Sequence, residues 1–168
     1  MSDAASCHIR PATENDVPVV LDLIQQLAEY ERLRHEAVAT EADLRRGLFG
    51  PDAVAEALLA DVGSEPVGFA LFFHNFSTFV GRRGLYLEDL FVKPQWRGRG
   101  YGRQLLARVA QIAVERGCGR MEWAVLDWNE TALRVYRAAG AQPLDEWTVH
   151  RLAGDALTRL ASAGQTEE

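Results

Sequence analysis

Two adjacent carboxylates inside an apolar segment are the first residues of this sequence that could do chemistry. Glu88 and Asp89 lie in the run 85–92, which Gly84 and Pro94 bound and which has no helical spacing, so it is predicted to be a central strand. Neighbours on a strand point to opposite faces. An ionised carboxylate there is costly unless it is paired, hydrated or at work. The pair is therefore a candidate for catalysis or binding, with pairing to an arginine as the alternative for Glu88.

A glycine-rich loop follows this strand, and its residue types are typical of an anion site. Its glycines let the backbone turn tightly, and an amphipathic helix is predicted to begin near Tyr101, so that unpaired N–H groups converge on one point. Cationic side chains surround this point. The glycines are Gly98, Gly100 and Gly102, and the cations are Lys93, Arg97, Arg99 and Arg103. In a chain of net charge -6, this basic patch indicates a bound phosphate or pyrophosphate; the alternative is a glycine-rich turn with solvated arginines.

The spacing of the glycines excludes two common phosphate-binding motifs. No Gly-Lys-Ser/Thr follows them, so the loop is not a Walker loop, and Arg103 stands where the third glycine of a dinucleotide fingerprint is required. The segment instead resembles the acetyl-coenzyme A loop of the GNAT acetyltransferases. The pattern of that loop, Arg/Gln-x-x-Gly-x-Gly/Ala, is met here by Arg97, Gly100 and Gly102.

Helical and strand patterns surround these two segments and must position them. Apolar residues at helical spacing predict helices over about 13–30, 40–50, 101–117, 129–140 and 155–161. Apolar runs predict further strands over 8–10, 54–62, 66–73, 120–126 and 146–152. The stretch 75–83 is predicted to be a long loop with exposed aromatic residues. Such a mixture of elements is typical of an α/β (α+β) fold.

Length and composition limit the function classes. A chain of 168 residues suits one domain, which we assign to residues 8–163, with flexible tails predicted at 1–7 and 164–168. The acidic balance, with a pI near 5.3, argues against a nucleic-acid binder. No signal pattern or apolar run of about 18 residues occurs, so we expect a cytoplasmic protein without membrane contact. Cys7 and Cys118 lack metal-ligand spacing, so no metal site is predicted.

Five short motifs, in the order in which they occur, narrow the resemblance. They are Ile9-Arg10-Pro11-Ala12-Thr13, Tyr86-Leu87-Glu88-Asp89, Arg97 to Gly102, Trp128-Asn129-Glu130 and Tyr136-Arg137. Together they look like the diamine (spermidine/spermine) acetyltransferase branch of GNAT, including its thialysine-acetylating relatives. This resemblance implies a central mixed, largely antiparallel sheet of 6–7 strands with a splayed parallel pair, flanked by 4–5 helices. It also implies a homodimer.

The resemblance implies roles for individual residues. Glu88 matches the proposed general base and Tyr136 the proposed general acid, while Glu31 and Asp89 match acids near the amine acceptor. Positions matching the acetyl-coenzyme A contacts are Leu90, Phe91, Val92, Arg97, Gly98, Arg99, Gly100, Tyr101, Gly102, Arg103, Asn129, Glu130, Ala132 and Tyr136. The alternatives are an amphipathic core role for Tyr136 and solvated or structural roles for Glu31 and Asp89.

The chemistry of amine acetylation requires groups of these types. A primary amine with a pKa near 10.4 is neutral in about one molecule in 2,500 at pH 7, so it must lose a proton at the site. A leaving thiolate requires a proton, which a tyrosine can supply in a dry site. We therefore expect an N-acetyltransferase that moves the acetyl group of acetyl-coenzyme A to a small polyamine or lysine-like acceptor in a ternary complex. The alternatives are acetylation of protein amino groups and acyl-coenzyme A binding without catalysis.

Overall fold

A computed structural model of the chain describes residues 6–164. These residues divide into two compact units, one ending at Val135 and one beginning at Tyr136. The strands are β1 Cys7–Pro11, β2 Glu56–Val62, β3 Glu65–Ser77, β4 Arg82–Val92 and β5 Met121–Glu122. The helices are α1 Val17–Tyr30, α2 Glu41–Phe49, α3 Tyr101–Glu115, α4 Glu130–Ala138 and α5 Gly154–Ala163. None of the helices described here is long and apolar enough to cross a membrane.

The first unit is built on one mixed sheet with the strand order β1-β2-β3-β4-β5. The first four strands are antiparallel, and β5 is parallel to β4. The core on one face joins the buried side of α1 to the sheet through Val20, Leu23, Leu27, Leu59, Phe69, Leu71 and Phe91. Val92 neighbours Phe91 and so points to the opposite face, where the first turn of α3 approaches it at Gly102. The sheet is thus covered on both faces.

The helices begin and end largely where the sequence places them. Thr40 starts α2 by accepting a hydrogen bond from the Asp43 N–H at 3.3 Å, and the Asp43 carboxylate accepts one from the Thr40 N–H. Gly117, with φ +68°, follows the end of α3. The predicted mixed α/β class is therefore confirmed.

The number of strands is smaller than predicted, five instead of 6–7 in the residues described. The strand predicted over 120–126 is limited to Met121–Glu122, and the one predicted over 146–152 is not a strand. Trp147 and Val149 in that last segment are 76% and 85% exposed. A strand needs a neighbouring strand to pair with its backbone groups. In the part of the chain that the structure describes, β5 pairs with β4 only at Leu85 and Tyr86, and residues 146–152 belong to no sheet, so apolar composition overpredicted both strands.

The connection between β3 and β4 is also shorter than predicted. Instead of a loop over 75–83, β3 continues to Ser77 and β4 begins at Arg82, with Asn75 opposite Gly84. The turn between them closes with a 2.8 Å hydrogen bond from the Gly81 N–H to the Ser77 carbonyl. The ends of these two strands consist of polar residues, and the backbone pairing of such residues depends on the neighbouring strand and not on an apolar pattern. The apolar pattern therefore did not predict these ends.

Most of the predicted tails, 1–7 and 164–168, lies outside the described residues. At the N-terminal end β1 begins at Cys7 and pairs it with Val62. The second unit contains the end of α4 and all of α5.

Candidate active site

The glycine loop forms an uncapped helix start. Gly98 and Gly100 have φ values of +77° and +82°, a left-handed backbone that other residues adopt at a cost. Gly100 is the N-cap residue of α3 and supplies no side-chain hydrogen bond to the first turn. A Cβ on either glycine would meet no atom within 4 Å. Free N–H donors and open space together suit an anion.

The arginines of this loop are held in place by aromatic rings. The Arg97 Nε donates to the Val92 carbonyl at 2.9 Å, and its guanidinium lies 4.2 Å from the centre of the Tyr30 ring. The guanidinium of Arg99 lies 4.8 Å from the Trp96 ring centre. Such stacking covers one face of a guanidinium and leaves its N–H edge available. Both arginines are therefore oriented while they keep donors for an anionic ligand.

Lys93 departs from the predicted basic patch. Its ammonium lies 3.5 Å from the Glu65 carboxylate, and its side chain is largely buried. An ion pair with Glu65 directs this charge toward the β2–β3 hairpin. The cationic part of the loop is accordingly formed by arginines, including the predicted Arg103, which is exposed in the first turn of α3.

The splayed parallel pair expected from the resemblance is present. Among the described residues, β5 pairs only with Leu85 and Tyr86 of β4. The predicted cofactor contacts Leu90, Phe91 and Val92 come after this point and pair with β3 on their other side. One edge of β4 therefore has backbone groups that no strand satisfies. Such an edge can exchange hydrogen bonds with a ligand that carries amide groups.

Asn129 begins α4 as predicted. Its side-chain oxygen accepts a hydrogen bond from the Ala132 N–H at 3.2 Å, and its carbonyl accepts one from the Leu133 N–H at 3.0 Å. The hydroxyl of Tyr30 donates to the same side-chain oxygen at 3.4 Å. Asn129 thus connects the head of α4 to the end of α1. Glu130 and Ala132 lie in the first turn that it caps.

A β-bulge places the two predicted carboxylates. Leu87 is opposite Phe72 and Asp89 is opposite Leu71, so Glu88 is an extra residue without a cross-strand neighbour. Leu71 belongs to the core under α1, so Asp89 lies on the α1 side. The bulge breaks the regular alternation of β4 at Glu88. Glu88 is exposed, whereas Asp89 is partly buried.

Electrostatics show that Glu31, Glu88 and Asp89 share one region, which we call the acidic cluster. Burial, and after it the charges of Glu88 and Glu31, raise the pKa of Asp89 to about 7. Burial also raises the pKa of Glu31. The pKa of Tyr86 is raised by burial, then by Glu88 and Glu122. A cation would relieve this repulsion. Residues 6–164 contain no group of three His, Cys, Asp or Glu placed to hold a metal ion.

Tyr136, the predicted general acid, lies in α4 and is partly buried. It is the first residue of the second unit. Its carbonyl accepts hydrogen bonds from the N–H groups of Ala139 and Ala141, both at 3.1 Å, which helps to end the helix before Gly140.

Sequence reasoning missed a stack of two aromatic rings between two cations. In order it contains Arg97, Tyr30, Trp128 and Arg32, with separations of 4.2, 5.8 and 5.5 Å. The stack links the glycine loop to the end of α1 and to the residues before α4. The only signal was the mixed polar and aromatic composition of 29–33, which is equally typical of a solvated helix end. Which rings meet could not be read from it.

Several known proteins are similar to this chain. Residues 20–141 match the model of the acetyltransferase (GNAT) family. A thialysine N-epsilon-acetyltransferase from Bos taurus is 40% identical, over 91% of this chain and 96% of that protein. An L-ornithine N5-acetyltransferase from Arabidopsis thaliana is 35% identical, over 90% of this chain and 86% of that protein.

A solved structure agrees with this assignment. An integron cassette protein from the mobile metagenome of V. cholerae is 28% identical and has a TM-score of 0.78, with 93% of this chain and 98% of that chain covered. The resemblance stated from the sequence motifs is confirmed, and the chain belongs to the GNAT acetyltransferase family.

Proposed function

We propose that this protein transfers the acetyl group of acetyl-coenzyme A to a primary amine of a small polyamine or lysine-like acceptor. The observation that carries the proposal is that β4 bears two features of opposite character. The first is an open edge that leads to the uncapped, arginine-rich start of α3, and the second is the acidic cluster at the bulge. The first suits an anionic donor and the second a cationic acceptor. The named activities of the thialysine and ornithine relatives agree with it.

The donor is bound by backbone groups and arginines. The loop from Arg97 to Arg103 holds the pyrophosphate through the N–H groups of the first turn of α3 and through guanidinium donors. The backbone of Leu90 to Val92 holds the pantetheine arm, and Asn129, Glu130, Ala132 and Tyr136 complete the contacts. When bound, acetyl-coenzyme A supplies an electrophilic thioester carbonyl and a thiolate leaving group.

The reaction proceeds by direct attack in a ternary complex. The acidic cluster holds the ammonium form of the acceptor, and Glu88 takes one proton from it, directly or through water, because only a neutral amine is nucleophilic. The amine lone pair attacks the carbonyl carbon, so a C–N bond forms and the C–S bond breaks. Tyr136 gives its proton to the departing thiolate. The second proton of the attacking nitrogen goes to solvent, from which Tyr136 is reprotonated.

Asp89 gives the acceptor site its affinity for cations. At neutral pH its carboxyl is close to half protonated, since its pKa is raised to about 7. An arriving ammonium group favours the ionised form, so amine binding is coupled to proton release from Asp89. Each partly exposed ion pair contributes only about 0.2–1 kcal/mol, and selectivity therefore comes from the spacing of charged groups on the acceptor.

A thiol-release screen tests the proposal. Acetyl-coenzyme A is offered with polyamines, lysine analogues, small aminoglycosides and a peptide, and free thiol is measured. We expect release with small amines that carry two amino groups, and a smaller preference for diamines over monoamines in Glu31→Gln and Asp89→Asn. Asp52→Asn, an exposed acid outside the cluster, is the control and should match the wild type.

Two results would contradict this function. Thiol release with the peptide alone would favour acetylation of protein amino groups. Tight binding of acetyl-coenzyme A without release in the presence of any amine would favour a non-catalytic acyl-coenzyme A-binding protein.

We also propose that residues 8–163 act as one domain and that the protein is a cytoplasmic homodimer. Support for the dimer comes from the apolar segment 143–152, in which Leu144, Trp147 and Val149 are 61%, 76% and 85% exposed. Light scattering at micromolar concentration should give the mass of two chains; a monomer would reject the dimer.

A further inference from the structure

Arg32 has an unusual backbone. It is the one non-glycine residue among residues 6–164 with a positive φ, at +62°. It follows α1 directly, where the Arg32 N–H donates to the Glu29 carbonyl at 3.0 Å and the Leu33 N–H donates to the Ala28 carbonyl at 2.7 Å. Glycine is the usual residue at this position of a helix end, because other residues are strained in the left-handed region. The arginine side chain therefore accompanies a backbone that would be more stable with glycine.

The Arg32 side chain is placed by an aromatic surface. Its guanidinium lies 5.5 Å from the centre of the Trp128 ring, and Trp128 in turn packs at 5.8 Å against Tyr30. Tyr30 is fixed by the stacked Arg97 and by its hydrogen bond to Asn129. The described residues place no carboxylate within ion-pair distance of Arg32, which is exposed. A stacked guanidinium keeps its N–H edge free, and this edge matches a carboxylate in a bidentate geometry.

This cation borders the acidic cluster. Arg32 directly follows Glu31 in the chain, and the charge of Glu31 acts on Asp89. A site that served only polyamines would be weakened by a positive charge at its border, since like charges repel. An acceptor with an ammonium group at one end and a carboxylate at the other complements both signs. Strain, stacking and charge thus agree on an acceptor that carries a carboxylate.

We propose that Arg32 is a specificity-determining residue that binds the carboxylate of a small diamino acid whose terminal amine enters the acidic cluster. The inference rests on the proposed function and deepens it, because it distinguishes a diamino acid from a polyamine. Trp128 serves as the platform of the guanidinium. The acetyl transfer itself is unchanged, with the terminal amine as the attacking group.

A matched pair of acceptors tests this role. Ornithine and 1,4-diaminobutane differ only by one carboxylate, so the ratio of their kcat/KM values measures what that group contributes. We expect the wild type to favour ornithine. In Arg32→Asn, whose new residue tolerates a left-handed backbone, kcat/KM for ornithine should fall about 10-fold through KM. The value for 1,4-diaminobutane should stay the same or rise. Arg32→Lys should keep part of the preference.

Arg34→Gln is the control, since Arg34 is an exposed arginine two residues away that donates to the Ala37 carbonyl. It removes the same net charge and should leave the acceptor ratio at the wild-type value. If Arg32→Asn keeps the wild-type ratio, or Arg34→Gln changes it equally, the role of Arg32 is wrong while amine acetylation stands. If the wild type acetylates no amine at all, the proposed function fails and this inference with it.

Discussion

The two ends of the candidate site are built in different ways. The loop proposed to hold the pyrophosphate at the donor end is one continuous segment, 97–103, in which glycines, arginines and the start of α3 follow each other along the chain. The acceptor end combines the last turn of α1 with a bulge in the middle of β4, more than fifty residues later. A local motif can bind a ligand that all members of a family share. An acceptor that differs between family members is bound by residues that only the fold brings together.

The two ends also differ in their electrostatic state. At the donor end, guanidinium groups are stacked on rings and keep free donors. At the acceptor end, carboxylates repel one another, and burial and this repulsion raise the pKa of Asp89 to about 7. We therefore expect the donor end to bind its ligand without a change of protonation, and the acceptor end to release a proton when it binds a cation. Variants that act on one end, or on the chemistry alone, can separate these properties.

The largest effect is expected from a variant that should leave both ends intact. Tyr136→Phe removes the proposed proton donor and should reduce kcat about 10²-fold or more. Affinity for acetyl-coenzyme A, measured by calorimetry, should change little, because the ring remains. Wild-type turnover over pH 6 to 10 would exclude Tyr136 as the general acid.

Glu88→Gln examines the base in the same assay. Because Glu88 is exposed on the bulge, we expect a lower rate and an altered pH profile of kcat/KM, with the affinity for acetyl-coenzyme A unchanged. An unaltered profile would transfer the proton-accepting role to another group of the acidic cluster.

A smaller effect is expected at the donor end. Gly100→Asp introduces a negative charge and a side chain at φ +82°, and should weaken acetyl-coenzyme A binding about 50-fold in calorimetry. Gly63→Asp is a matched control, because Gly63 has φ +63° and open space around it but lies in the β2–β3 turn. Equal affinities in the two variants would remove the anion site from this loop.

The stack between the two ends should contribute less. Tyr30→Leu removes the ring under Arg97 and should weaken acetyl-coenzyme A binding about 5-fold, in line with one cation–π contact. Tyr30→Phe keeps the ring and loses only a long hydrogen bond to Asn129, so it should bind like the wild type. A reversed order of the two variants would show that the hydroxyl matters more than the stacking.

A separate effect, on stability, distinguishes the acceptor end by its pH dependence. The folded-state pKa of Asp89 is raised from 3.8 to about 7, so its contribution to stability is present below pH 4 and lost as pH rises through 7. Asp89→Asn should match the wild type near pH 4 and be more stable than the wild type at pH 8. Thermal unfolding at both pH values measures this.

Asp43→Asn should behave in the opposite way. Hydrogen bonds from Thr40, and then the charge of Arg46, lower the pKa of Asp43, so its contribution is present above pH 4 and lost as pH falls. The variant should therefore be less stable than the wild type at pH 8.

For Asp89→Asn, a stability below that of the wild type at pH 8 would contradict the prediction and would mean that Asp89 has a stabilising cationic neighbour.

The sequence was sufficient for the parts of the molecule that are local. The helix limits and the glycine loop at the start of α3 follow from caps, glycines and apolar spacing, as at Thr40 and Gly100. It was not sufficient where one strand depends on another. Residues 123–126 look like a strand but lie beyond the point where β4 and β5 separate, and Asn75 looks like loop but is paired.

The same distinction between local and long-range features applies to the candidate site. The loop arginines could be predicted because they belong to one motif, except that Lys93 is paired with Glu65 across a hairpin. The different environments of Glu88 and Asp89 could not, because a bulge is a property of the register between β3 and β4. Tyr30 and Arg32 were missed because an exposed helix end has the same composition with or without a neighbouring ring.

The bulge at Glu88 also shifts the phase of β4. On its C-terminal side the odd-numbered residues Asp89 and Phe91 lie on the α1 side, whereas on its N-terminal side the odd-numbered Leu87 lies opposite Phe72 on the other face. Deleting residue 88 would make Leu87 and Asp89 neighbours, and regular pairing with Phe72 and Leu71 would keep both on their present faces. The deletion would therefore remove the bulge together with its carboxylate, while both halves of β4 keep their faces. Deleting Leu90 instead would move the following residues of β4 to the opposite face of the sheet.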